Sequence, residues 1–269
     1  MPELPEMETY RKMLGERIVG RTISDAEVNR DKTINVPAAQ FVAELKGNSV
    51  TRVERRAKHL IFRLKSGSSL LLHLMLGGWM YLGDDNDNPD RTKQVILSFG
   101  EMKLYFIGLR LGFLHLHDEQ SLNVELDDLG PEPLDPAFTI GKFKELFSGR
   151  KGMIKTTLVN QKVIAGIGNC YSDEICHEAG IKPVRTFAEL EPPELNSMYH
   201  AMKTVFLRAI EAGGYMDQPL FKDDMKTGGY DKQCRVYDRE GEACIRCGNL
   251  IIKEIVSSRK TFYCPDCQH

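Results

Sequence analysis

Four cysteines near the C-terminus carry the clearest chemistry in this 269-residue sequence. Cys244 and Cys247 form one C-x-x-C pair, Cys264 and Cys267 a second, and sixteen residues separate them. Thiolates are zinc ligands, and two such pairs at this spacing make two short knuckles joined by strands. The linker GNLIIKEIVSSRKTFY fits, with a Gly-Asn turn, apolar–polar alternation and Ser-Ser-Arg-Lys as a hairpin tip. All four coordination positions would belong to the protein, leaving none for an activated water, so one zinc ion has a structural role only. A module this short has little core and needs its metal to fold. Cys170, Cys176 and Cys234 lack partners at ligand spacing and are expected to be packing residues.

The other end poses a different question. The chain opens MPELPEMET, with two prolines and three carboxylates in nine residues and no basic-then-apolar pattern of a secretion signal. Pro5 can open a helix, with Glu6 and Glu8 in its favourable first turn. That does not account for Pro2 and Glu3. Two further stretches suggest an anionic partner. TRVERRAKHLIFRLK sets Arg52, Arg55, Arg56, Lys58, Arg63 and Lys65 against Glu54 alone, and its alternation predicts strands with basic side chains on one face. In NQKVIAGIGNCYSDE, Gly166 and Gly168 interrupt an apolar run and Asn169 precedes the next helix. Glycines ahead of a helix allow a tight turn that presents free N–H groups to a phosphate.

These groups need elements to hold them. The length allows two or three domains, and no apolar stretch approaches the ~18 residues of a membrane-spanning helix. A net charge of −2 excludes binding nucleic acid by bulk charge, so any such contact must be local. The expected fold is α+β and multidomain. Residues 1–130 should form an N-terminal antiparallel β-sandwich behind a helix at 1–16, because HLIFRLKSGSSLLLHLMLGGWMYLG and QVILSFGEMKLYFIGLRLGFLHLHD read as strand, Gly-containing turn, strand. The proline-dense LGPEPLDPAF marks a boundary. Residues 131–233 turn to helical periodicity and end in a glycine-rich stretch, 213–233, expected as a mobile loop. Residues 234–269 should be the zinc ribbon.

P-E-L-P-E at Pro2–Glu6, E-R-R-x-K at Glu54–Lys58, L-G-P-E-P-L at Leu129–Leu134, A-G-x-G-N-x-Y-x-D-E at Ala165–Glu174 and R-x-T-x-Y-C-P-x-C-Q at Arg259–Gln268 stand in one order along the whole chain. In this the sequence resembles the formamidopyrimidine-DNA glycosylase family, with endonuclease VIII as its sister. The resemblance implies a helix–two-turn–helix domain between sandwich and ribbon, and damaged or abasic double-stranded DNA bound in the cleft between the halves. It also implies a monomer of the bacterial cytoplasm, held on the nucleoid through DNA, with no membrane association.

The opening stretch then acquires a chemical reading. Once Met1 is removed, Pro2 is a secondary α-amine, and an α-amino group titrates near ~8 against ~10.4 for lysine. Roughly a tenth is neutral and nucleophilic at pH 7. Attack on the sugar C1′ expels the base and leaves an iminium, an electron sink for strand cleavage by elimination. Glu3, beside it, can protonate the opening sugar. The resemblance assigns the same roles, with Glu6 in support, Lys58 aiding β-elimination and Arg259 δ-elimination, and Lys151, Lys155 and Asn169 holding the backbone.

The base-stack wedge departs from the family. Its L-R-M-E-G is here LMLGG, so Met75 stands for the arginine, Leu76 for the wedge methionine and Gly77 for the glutamate. Its D-x-R-R-F-G is here IGLRLG, with Ile107, Leu109 and Leu111 in place of aspartate, first arginine and phenylalanine, while Arg110 remains. Leu76, Leu111 and Arg110 are the expected DNA contacts of this edge. Aliphatic wedges can kink DNA but stack poorly and donate no hydrogen bonds. Weak 8-oxoguanine excision beneath retained abasic-site cleavage is therefore expected. The alternative is a weak or inactive paralogue that binds damaged, abasic or branched DNA.

Overall fold

A computed structural model describes residues 1–269 as two compact units, Met1–Asp128 with Ala212–Gly229, and Leu129–Glu211 with Tyr230–His269. The first unit begins with helix α1 (Leu4–Ile18), strand β1 (Asp25–Val28) and helix α2 (Ala38–Leu45). Seven strands follow: β2 (Val50–Arg56), β3 (His59–Leu64), β4 (Ser69–His73), β5 (Trp79–Gly83), β6 (Lys93–Phe99), β7 (Met102–Ile107) and β8 (Phe113–His117), then helix α3 (Glu119–Leu126). They form two antiparallel four-stranded sheets, ordered β1-β6-β7-β5 and β2-β3-β4-β8.

Period-2 alternation builds the sandwich. Leu60, Phe62, Leu70, Leu72 and Leu114 of one sheet share a core with Met80, Leu82, Val95, Leu97, Leu104 and Phe106 of the other. The apolar face of α1, Met7, Tyr10, Leu14 and Ile18, joins that core. The opposite face of β3 and β4 packs Ile61 and Leu71 against Leu122 of α3.

The 213–233 stretch differs from a mobile loop. Residues 212–229 belong to the sandwich unit, tied to it largely through their backbone. The Tyr10 hydroxyl donates to the Gln218 carbonyl (2.7 Å), Trp79 Nε1 to that of Pro219 (3.0 Å) and the Leu82 N–H to that of Leu220 (2.6 Å). Leu220 is buried in the core, and the Arg17 guanidinium stacks 4.0 Å over the Phe221 ring.

The second unit contains α4 (Ile140–Phe147), α5 (Ile154–Leu158), α6 (Asn169–Ala179), α7 (Pro192–Glu211) and the hairpin β9 (Ile252–Val256)–β10 (Arg259–Tyr263). α6 is its joint. Asp173 Oδ1 accepts from Lys155 Nζ (2.7 Å) of α5, and Asp173 Oδ2 from the Phe262 N–H (3.1 Å) of β10. The Glu174 carboxylate accepts the successive N–H groups of Arg235, Val236 and Tyr237 at 2.9–3.0 Å. At its C-terminal end, Arg246 donates to the carbonyls of His177 and Glu178 (2.6 and 3.1 Å), docking the first cysteine knuckle.

Candidate nucleic-acid interface and catalytic centre

In the sandwich unit the N-terminus is fixed by a carboxylate. Glu3 caps α1 in a reciprocal capping box with Glu6, whose Oε2 accepts the Glu3 N–H at 2.8 Å. Glu6 Oε1 accepts the Tyr215 N–H, also at 2.8 Å. One side chain thus clamps the residue beside Pro2 to the 212–229 segment. Gly214 makes this approach possible: its φ is +77°, and a Cβ there would stand 2.3 Å from Glu6 Oε1. Pro2, Glu3 and Glu6 are all buried. Nearby, burial and the Glu6 and Asp224 charges push the Tyr10 phenol upward, so it stays a donor to the Gln218 carbonyl.

Lys58 sits in the two-residue turn that closes β2–β3 between the paired Arg56 and His59. Ala57, the other turn residue, is held at φ +53°, a region that costs an L-residue about 1–2 kcal/mol. Arg55 anchors this turn to α1, donating from Nε to Glu8 Oε2 (2.9 Å), while Glu8 Oε1 takes Arg11 (2.7 Å). Burial opposes the Glu8 charge, but its Arg11 and Arg55 hydrogen bonds outweigh that and lower its pKa. Lys58 is itself buried.

Leu76 and Leu111 are exposed on the turns after β4 and β7. The His73 Nδ1 accepts the Met75 N–H (3.1 Å), and Met75 adopts φ +52°. Burial, then the charges of His59 and Lys58, lowers His73 to a pKa of about 3, which keeps Nδ1 an acceptor. Arg110 is exposed. Leu109 is fully buried in the sandwich core, so the position aligned with the family's first arginine serves packing.

In the helical unit, Gln161 shapes the glycine turn. Its Oε1 accepts the Gly166 N–H (2.9 Å), and its Nε2 donates to the Ile167 carbonyl (2.7 Å). The turn delivers an exposed Asn169 as the first residue of α6, whose N-terminal N–H groups and dipole favour an anion. Lys151 is exposed on the loop before α5. Lys155, expected as a phosphate contact, is instead fully buried, its ammonium shared between Asp173 and the Asn169 carbonyl (2.8 Å). Burial drives the Asp173 carboxyl upward, and Lys155 opposes that most strongly. A lysine so enclosed positions the α6 N-terminus rather than reaching a phosphate.

The four thiols of Cys244, Cys247, Cys264 and Cys267 lie within 4.8 Å of one another, with Sγ–Sγ distances of 3.6 Å (Cys247–Cys264) and 3.8 Å (Cys244–Cys267). A tetrahedron with Zn–S bonds of ~2.3 Å needs sulfur separations of about 3.8 Å. They hold one structural zinc. Val236, Ile251 and Phe262 supply nearly all the apolar core around it. Ser257 and Ser258, at φ +48° and +65°, make the two-residue tip that presents an exposed Arg259. Cys170, Cys176 and Cys234 are buried packing residues.

Sequence patterns did not indicate Arg30, Arg91 and Gln94, which meet Leu76, Arg110 and Leu111 around one cavity. No spacing links them. The Asp173–Glu174 pair does lie within a motif, although only the fold discloses what each carboxylate holds.

Three family models match successive segments of the chain. Residues 1–113 match the formamidopyrimidine-DNA glycosylase N-terminal domain, 129–218 the H2TH domain of the same enzymes, and 241–269 the zinc finger found in FPG and IleRS. Formamidopyrimidine-DNA glycosylases of Carboxydothermus hydrogenoformans and Listeria innocua are 33% and 35% identical to this chain, each aligned over its full length and that of the chain. A Lactococcus lactis Fpg in complex with abasic-site DNA superposes with a TM-score of 0.92 at 30% identity, covering 99% of both chains. A Lactococcus lactis FPG mutant bound to Fapy-dG DNA does so equally. The chain belongs to the formamidopyrimidine-DNA glycosylase family. No helix is long and apolar enough to cross a membrane.

Proposed function

We propose that this chain is a base-excision-repair DNA glycosylase with abasic-site lyase activity, working as a monomer on damaged duplex DNA in the bacterial cytoplasm. With Met1 removed, the Pro2 nitrogen attacks C1′, the glycosidic bond breaks, and the base leaves with its electron pair. Glu3 protonates the opening sugar ring, and the resulting iminium acidifies C2′; as the C2′ proton passes to water, its bond pair forms the C2′–C3′ double bond and the 3′ phosphate leaves with the C3′–O3′ pair in β-elimination. Lys58 steadies the phosphate at this step, and Arg259 the neighbouring phosphate during δ-elimination. Asn169, Lys151 and Arg110 hold the backbone, Leu76 and Leu111 fill the stack, and Lys155 positions Asn169. The Glu6 clamp carries the reading: it fixes the Glu3 backbone, and with it the residue next to the nucleophile, to a second segment of the same unit.

Borohydride reduction of the protein on abasic-site duplex tests it. Protein with a verified free Pro2 amine should form a covalent adduct, and Pro2→Gly with Met1 retained should not. An unreactive wild type with a free Pro2 would favour the binding-only paralogue, which the aliphatic wedge allows.

A further inference from the structure

We infer that His177 is an outer donor to the zinc site: its Nε2–H hydrogen-bonds the metal-bound thiolate of Cys244, positioning that ligand and drawing charge from it. This goes beyond the reading above and holds whether or not the chain has lyase activity. His177 lies in the last turn of α6, is fully buried, and holds Nε2 3.6 Å from Cys244 Sγ. A metal-bound thiolate has lone pairs and no hydrogen, so the hydrogen of this contact must sit on Nε2. The imidazole is not a fifth ligand. The four sulfurs form a closed group within 4.8 Å of one another, with no histidine nitrogen in it, and four protein ligands complete a tetrahedral site.

Packing alone does not account for a histidine here. Nδ1 is buried without a hydrogen-bond partner, and a phenyl ring of similar shape would avoid that desolvation. What the imidazole has and a phenyl ring lacks is the Nε2 donor. His177 also meets the same knuckle through its backbone, because its carbonyl accepts from Arg246 Nη1 at 2.6 Å. One residue of α6 thus holds both an arginine and a metal ligand of the first C-x-x-C turn, and fixes that turn against the helix at two points.

The charge of the site defines what the donor does. Four thiolates exceed the charge of one divalent ion by two, and Cys244 and Cys264 are buried. Unpaired charge in such surroundings is costly, and N–H groups aimed at sulfur offset it. Backbone N–H groups of Arg246 and Cys247 serve Cys244, and those of Cys267 and Asp266 serve Cys264. The two knuckles match in this respect. His177 breaks the match by giving Cys244 a side-chain donor from a helix outside the ribbon.

Full-length protein is loaded with zinc and titrated against a chromophoric chelator; loaded with cobalt(II), it shows the sulfur-to-metal charge-transfer band. His177→Phe keeps a ring and removes the donor, whereas His177→Gln sets an amide N–H near the place of Nε2. The Phe variant should bind zinc about 10–100-fold more weakly, as loss of an outer-shell partner does. Its band should move to longer wavelength, because a sulfur lone pair without its hydrogen bond lies higher in energy. The Gln variant should recover most of the affinity and the wild-type band. An unshifted band in the Phe variant would overturn the assignment even if affinity fell, since lost packing weakens binding without altering the lone pair. Nitrogen NMR of the histidine rings in the zinc-loaded wild type needs no substitution: a hydrogen on Nε2 of His177 is required, and a bare Nε2 refutes the donor outright. All three readouts are independent of DNA cleavage, so failure of the lyase reading leaves them unchanged.

Discussion

Replacing Lys155 by alanine distinguishes a phosphate contact from a buried tie. The Lys155–Asp173 pair is completely enclosed, with N–O 2.7 Å, and the same ammonium also satisfies the Asn169 carbonyl. Removing one partner of a buried pair leaves the other charge uncompensated and costs ~3–5 kcal/mol. With a urea m-value of about 2 kcal/mol/M, the unfolding midpoint of the helical unit should fall by roughly 1.5–2.5 M. Lys155→Met with Asp173→Leu should recover much of this, since an apolar pair of similar volume avoids the stranded carboxylate. A direct phosphate contact behaves differently: its loss lowers the slope of log K against log salt by ~0.9 and leaves stability within ~0.5 kcal/mol. Urea melts followed by tryptophan-independent far-UV dichroism, with salt titrations of DNA binding, report both quantities. An unchanged midpoint with a slope reduced by about one would refute the buried-tie account.

Gly214→Ala should reduce borohydride trapping by at least tenfold with a smaller change in stability, because the new Cβ displaces the Glu6 carboxylate from Glu3 and Tyr215; normal trapping would show the clamp to be dispensable. Leu109→Arg should destabilise the sandwich by several kcal/mol, since it buries an unpaired charge, and a gain in base excision at unchanged stability would contradict this. His73 has a folded pKa near 3 against ~6.5 unfolded, so the unfolded chain binds more protons between those values. The stability His73 supports is complete above pH 6.5 and falls as pH drops toward 3, by up to ~1.4 kcal/mol per unit. His73→Gln should remove that share of the slope in urea melts at pH 4–7. Chelation of the zinc should unfold the β9–β10 hairpin and weaken DNA binding through Arg259, and unaltered affinity in metal-free protein would take the ribbon out of the binding surface.

The sandwich was legible because its strands alternate with period 2 and their turns carry glycine, as at β3–β4 and β6–β7. α2 and α3 were not, since each is only eight residues long within a strand-rich region. The ribbon was legible from cysteine spacing alone. The 212–229 segment was hidden for a physical reason: three of its ties are the carbonyls of Gln218, Pro219 and Leu220, and backbone acceptors leave no trace in residue type. Lys155 misleads because its side chain suits a phosphate contact until its buried partner Asp173 is known.

The acidic pair of α6 shows what such neighbours do. Asp173 and Glu174 look like a solvated helix face, yet neither is exposed. Asp173 joins α5 to Phe262 of β10, the strand that begins at Arg259, and Glu174 gathers three N–H groups of the chain entering the ribbon. The helix whose N-terminus presents Asn169 thereby also sets the position of the hairpin that presents Arg259. Two proposed phosphate contacts, ninety residues apart in sequence, are held in one frame by consecutive carboxylates. Each carboxylate accepts from N–H or ammonium donors, which oppose without cancelling the burial that raises both pKa values. The metal closes that frame from the other side, because the knuckle bearing Cys244 and Cys247 is docked by Arg246 onto the last turn of the same helix.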